Sequence, residues 1–161
     1  MTKFLLTVHV LAAIIAIGPV TVAASMFPAA ARTALAAPGD VRATAVLRTL
    51  HRVCRVYAAV GVVVPVFGLA TADSLGVLGD TWLIVSIVLT GLAATVLAGL
   101  VLPGQDALLA GLDTMDGDGP GDGVTDRRAT ARLAMYTGMF NLLWAVVTVL
   151  MIVRPGSTTG A

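Results

Sequence analysis

His9 stands in the run between Lys3 and Arg32, where no other formal charge occurs. An ionisable group inside an apolar segment invites a functional reading. An imidazole there can ligate a b-type haem or a metal ion, or relay a proton. It can also be a neutral packing group, hydrogen-bonded to Thr7, Asn141 or a backbone carbonyl, and that reading is the one favoured here. A bis-histidine haem needs both ligands at one depth. The only other histidine is His51, which the topology below sets at the opposite side of a hydrocarbon core about 30 Å thick. A single haem b held by His9 with Met151, or by two His9 residues of a dimer, is the arrangement the sequence still permits.

Arg48, His51, Arg52 and Arg55 share one helical face. Such a face can contact anionic lipid headgroups or an acidic partner. Topological anchoring alone is the simpler reading and is preferred. The aspartates 113, 116, 118, 122 and 126 suggest an oxygen-rich cation loop. A calcium loop, however, requires a bidentate glutamate at its twelfth position, and the chain has no glutamate. No metal site is expected there. Cys54 stands alone and is read as inert packing. Neither a nucleophile elbow, a zinc-protease motif nor a phosphate loop occurs, and no acid falls inside an apolar run, so a non-catalytic protein is expected.

The elements that must carry these residues follow from composition. Of the 161 residues, 58% are hydrophobic and 12% are charged. A soluble domain has about twice that share of charge, so the chain reads as an integral membrane protein. Its net charge of +1 gives no field for nucleic acid. Uncharged runs predict an all-α four-helix transmembrane bundle of two hairpins, with spans at about 4–27, 53–72, 81–102 and 133–153. Residues 103–126 read as a flexible cytoplasmic loop, with a short interfacial helix from Gln105 to Met115 and a glycine-aspartate linker after it. Eight arginines fall in 32–55 and 103–132, against Lys3 and Arg154 on the other side. The positive-inside rule then sets both termini outside the cytoplasm. A cleaved signal peptide ending near Ala23 and Ala24 is the rival reading. It would strand five arginines outside, against the charge rule.

Helices in lipid associate through small and polar residues. In span 1, His9 shares a face with Ala12, Ala13, Ala16, Val20 and Ala23, opposite Leu11, Ile14, Ile15 and Val22. Span 2 aligns Tyr57, Gly61, Val64 and Gly68. Span 3 clusters Gly91, Ala94, Thr95 and Ala98. Span 4 aligns Ala134, Thr137, Asn141, Ala145 and Thr148. Tyr57, Thr137 and Asn141 are the expected polar packing groups. Pro19 and Pro65 are expected to kink their helices, and Asp40 to cap the helix that enters span 2. Arg42-Ala43-Thr44-Ala45 recurs as Arg128-Ala129-Thr130-Ala131, a weak sign of duplication.

The start, Leu5-Leu6-Thr7-Val8-His9-Val10-Leu11-Ala12-Ala13 through Gly18-Pro19, resembles the opening of a bacterial family of small four-helix integral membrane proteins without an assigned function. The likeness extends through Arg55-Val56-Tyr57, Gly68 and Gly79-Asp80-Thr81-Trp82. The His-Val-Leu-Ala-Ala element is also similar to helix 1 of copper-resistance membrane proteins and of small membrane protoporphyrinogen oxidases. That resemblance implies a metal or haem role for His9, without a second matching ligand. Arginine outnumbers lysine nine to one, as in GC-rich bacteria. The expected protein is thus a multi-pass plasma-membrane subunit or accessory partner of a membrane complex, embedded in the lipid bilayer. The alternatives are a haem- or metal-binding redox protein using His9 and a small-molecule carrier formed by homo-oligomerisation.

Overall fold

The computed structural model describes residues 2–115 and 123–156, and among these all regular structure is helical. The helices are α1 (Thr2–Ala36), α2 (Val41–Gly61), α3 (Val63–Leu75), α4 (Thr81–Val96), α5 (Leu102–Met115) and α6 (Gly123–Val153), with a π-helical turn at Leu97–Val101. Stacked end to end they make four rods, each long and apolar enough to cross a membrane: Thr2–Ala36, Val41–Leu75, Thr81–Thr114 and Arg127–Val153. A 35-residue rod is about 52 Å long, well beyond the hydrocarbon thickness, so helix continues past the expected spans at the Arg48 end. The glycine-aspartate linker at 116–122 lies outside the described residues.

Each break has a local cause. Asp40 caps α2 as expected: its carboxylate accepts from Arg42 N at 2.9 Å and Ala43 N at 3.3 Å. The second rod is interrupted at Val62, between α2 and α3. Pro65 has no N–H for the Gly61 carbonyl and its ring crowds that group, which ends α2 there. Pro19, by contrast, sits inside an unbroken α1, as does Pro28. The turn from α3 to α4 closes on Gly76, whose φ of 69° is a left-handed conformation that glycine adopts without penalty.

Residues 103–115, expected as a loop segment with a short interfacial helix from Gln105 to Met115, are helix that continues the third rod. The third rod reaches them through the π turn. Its buried residues Ala93, Leu97, Val101 and Gln105 follow one another at intervals of four. In an α-helix three such steps drift about 120° around the axis. The wider π turn absorbs that drift and keeps all four side chains facing the bundle. Pro103 contributes, because it offers no N–H to the Gly99 carbonyl.

α1 packs along α2, α3 and α6, α4 packs on α6, and α5 closes back onto α2. The main core joins Val20, Ala23, Ala24, Phe27 and Ala31 of α1 to Leu47, Cys54, Ala93, Val96, Val101, Leu133 and Phe140. The expected face of α1 is the one buried, with Ala16, Val20 and Ala23 inside and Leu11, Ile14, Ile15 and Val22 exposed. The expectation for span 3 is corrected: Gly91, Ala94, Thr95 and Ala98 are exposed, and Ser86, Ala93, Val96 and Leu97 face inward. On α6, Thr137 is buried and Asn141 half-buried, but Ala134, Ala145 and Thr148 are exposed.

Candidate functional site

Polar chemistry gathers at two places. At the His9 end, His9 Nδ1 lies 2.9 Å from the Val64 carbonyl oxygen. A carbonyl only accepts, so Nδ1 carries the hydrogen and Nε2 of the neutral ring keeps its lone pair. The contact ties α1 to the first turn of α3, just past the Pro65-induced break. Gly68, one turn along, makes the seat. A Cβ there would meet His9 Cε1 at 2.9 Å and Nδ1 at 3.2 Å. The imidazole is therefore held against bare backbone.

Beside it opens a pocket of about 40 Å³ lined by His9, Thr71, Trp82, Met151 and Arg154, among others. Trp82 Nε1 donates to Asp80 Oδ2 at 3.0 Å, and the Arg154 guanidinium lies 5.7 Å from the centre of the Trp82 ring. This stacks a cation on the indole face and joins the end of α6 to the start of α4. His9 and Met151 thus share one pocket, as the single-haem arrangement requires. A haem does not fit there, since ligand pockets for molecules of that size run to about 300 Å³ or more. Among the described residues no three His, Cys, Asp or Glu side chains gather in a way that could hold a metal ion.

The second place lies between α2 and α5. His51, read from sequence as part of an exposed basic face, is buried at 8% exposure, while Arg52 and Arg55 are exposed. Its Nδ1 is 2.9 Å from Gln105 Oε1, and Gln105 Nε2 donates to Cys54 Sγ at 3.6 Å. Gln105 is fully buried. Either orientation of the amide keeps both its ends in use: reversed, Nε2 donates to the ring and the Cys54 thiol donates to Oε1. His51 Nε2 lies 2.9 Å from Asp106 Oδ1, yet off the line of a good hydrogen bond. Arg48 reaches Asp113 at 2.6 Å with both side chains exposed, a pairing of small energetic weight. Of the four residues grouped from sequence, the structure therefore separates an ion-paired Arg48, an inward His51 and two exposed arginines.

Sequence reasoning missed Gln105, Asp106 and the partnership of Cys54. Pro103-Gly104 reads as the end of a span, so a glutamine two residues after Pro103 reads as the start of a separate interfacial helix and not as part of the bundle. The four-residue spacing from Ala93 to Gln105 is the signal that could have found it. Tyr57 is half-buried on α2 and packs against the main core. Searches for family models, curated proteins and solved structures found no match to this chain.

Proposed function

We propose that this chain is a multi-pass protein of a bacterial plasma membrane that works as a non-catalytic subunit, docked against another transmembrane helix. One observation carries the reading. The small-residue face of the third rod, with Gly91, Ala94 and Thr95 of α4 and Ala98 of the π turn, is exposed, and a Cβ at Gly91 would meet nothing within 4 Å. Small residues in lipid favour close backbone approach between helices, and among the described residues no helix takes the place. Gly91→Leu is the test. It fills open space, so the monomer should keep its thermal stability. Protein extracted from its own membrane in mild detergent should run as a larger assembly in the wild type and as a monomer in the variant. A wild type that is monomeric in its own membrane would defeat the reading.

In this reading both termini lie outside the cytoplasm, since eight arginines occupy the Arg48 end. A cysteine placed at Gly76, in a Cys54→Ser background, should react with an impermeant thiol reagent on intact cells. Protection there, with reaction only after lysis, would reverse the orientation.

A second reading makes His9 a ligand. Its support is the bond from Nδ1 to the Val64 carbonyl, a common way of orienting a metal-binding imidazole while leaving Nε2 free. Because the pocket is too small for haem, the occupant would be a small soft cation shared with the Met151 thioether. Purified protein loaded with copper(I) should then retain about one equivalent, lost in His9→Ala and kept in His51→Ala. Equal retention by wild type and His9→Ala would leave His9 as a packing group.

A further inference from the structure

His51 is only 8% exposed, and each of its ring nitrogens faces one side chain of α5. Nδ1 lies 2.9 Å from Gln105 Oε1, and Nε2 lies 2.9 Å from Asp106 Oδ1. The other end of the Gln105 amide is 3.6 Å from Cys54 Sγ, about one turn along α2 from His51. Among the described residues Gln105 is the hydrogen-bond partner of that sulfur. One amide thus bridges a titratable ring and a thiol on α2.

The hydrogens of this cluster fit together in two ways, one for each charge of the ring. An ionised carboxylate only accepts. A neutral ring therefore keeps its hydrogen on Nε2, because a bare lone pair there would face a second acceptor on Asp106. Nδ1 is then bare and needs a donor, so Gln105 turns its Nε2 to the ring. Its Oε1 faces Cys54, and the thiol donates to it. A protonated ring carries hydrogen on both nitrogens. Nδ1–H then needs an acceptor, so the amide turns half a revolution, with Oε1 on the ring and Nε2 donating to Sγ. Each state uses every polar group. Each also excludes the other amide orientation, which would set two donors or two lone pairs head to head in a buried site.

We propose that His51 is a proton-binding site at the Arg48 end of the bundle, and that its charge is passed inward by reversal of the Gln105 amide, which switches Cys54 from hydrogen-bond donor to acceptor. The ligand is one proton from water. Asp106, with its side chain 59% exposed, stands on the open side and is free to turn its carboxylate toward an imidazolium. The other charges nearby are engaged or solvated. Asp113 of α5 is taken up by Arg48. Arg52 and Arg55 of α2 and Arg32 of α1 are exposed. So are Arg127, Arg128 and Arg132 of α6, which packs on α5. Water and salt screen exposed cations over about 8 Å, whereas Asp106 meets the ring at 2.9 Å. Because the amide belongs to α5 and the thiol to α2, the proton changes the bonding between two rods.

The chain has a single cysteine, so its infrared S–H stretch reports Cys54 alone. The test follows that band in the full chain in lipid nanodiscs from about pH 8 to about pH 5, the range over which imidazoles ordinarily take up charge. At the alkaline end the band should lie where a thiol donating to an amide oxygen absorbs. Acidification should move it to higher wavenumber, as the thiol loses that acceptor. Nitrogen-15 NMR of the same protein, labelled at histidine, should show one imidazole charging at the midpoint of the shift. In His51→Asn the band should hold one position throughout. It should also stay fixed in Gln105→Leu, where the ring still charges but no amide carries the change. The wild-type measurements stand by themselves should either variant fail to fold. A wild-type band that stays still or moves to lower wavenumber, a midpoint that matches neither histidine, or a shift that survives His51→Asn or Gln105→Leu would each overturn the proposal.

Discussion

Gly68→Ala should destabilise the bundle by about 1–3 kcal/mol, the range for forcing an extra methyl into a packed site. The added Cβ would stand 2.9 Å from His9 Cε1, closer than real contacts allow. The ring would have to leave its seat and give up its bond to the Val64 carbonyl. The effect belongs to the pair and not to Gly68 alone. In a His9→Ala background there is no ring to displace, and the same Gly68→Ala change should cost little. A double-mutant cycle on thermal unfolding in detergent measures the coupling. Additive losses in the double variant would mean that glycine matters there for some reason other than His9.

Gln105→Leu should cost a similar or larger amount for the opposite reason, since it deletes polar partners instead of adding bulk. Gln105 is fully buried and serves both His51 and Cys54. Leucine fills much of the same volume but leaves His51 Nδ1 unpaired inside the protein, a loss of about 1–3 kcal/mol for one buried unsatisfied group. Restoring apolar consistency should undo most of the damage, so Gln105→Leu combined with His51→Leu is expected to be more stable than Gln105→Leu alone. Chemical unfolding of the three proteins in one detergent checks the order. A Gln105→Leu variant as stable as wild type would show that the buried network contributes nothing.

These two sites differ in how far sequence could reach them. The alanine face of α1 and the Tyr57–Gly68 face of α2 and α3 are legible because small residues recur there at helical spacing on rods with a simple register. Asp40 is legible as a cap because its chemistry is local. His9 could be set inside the bundle, but its partner could not be named, since any of many carbonyls satisfies the same imidazole. The α4 face misled for a physical reason. Glycine, alanine and threonine pack equally well against a helix of the same chain, a helix of another chain, or lipid, so their clustering does not say which. The His51 cluster was hidden more deeply. It depends on Gln105 pointing inward, and that depends on a turn of unusual pitch which no single residue announces.

The π turn also bears on how any homologous sequence would have to be aligned with this chain. A helix that holds one residue too many for its α pitch has two registers, one on either side of Leu97–Val101. Residues up to Val96 and residues from Leu102 onward answer to different helical wheels. A one-residue deletion in that Leu-Ala-Gly-Leu-Val stretch would let the rod relax to a uniform pitch and would swing Gln105, Leu108 and Leu112 by about 100° about the axis. In an alignment the event would be a single-column gap inside an apolar run, the sort of gap that is usually smoothed away. A gap at that column would separate a chain that brings a glutamine to the histidine and cysteine of α2 from one that brings a different side chain there, even where every flanking residue was the same.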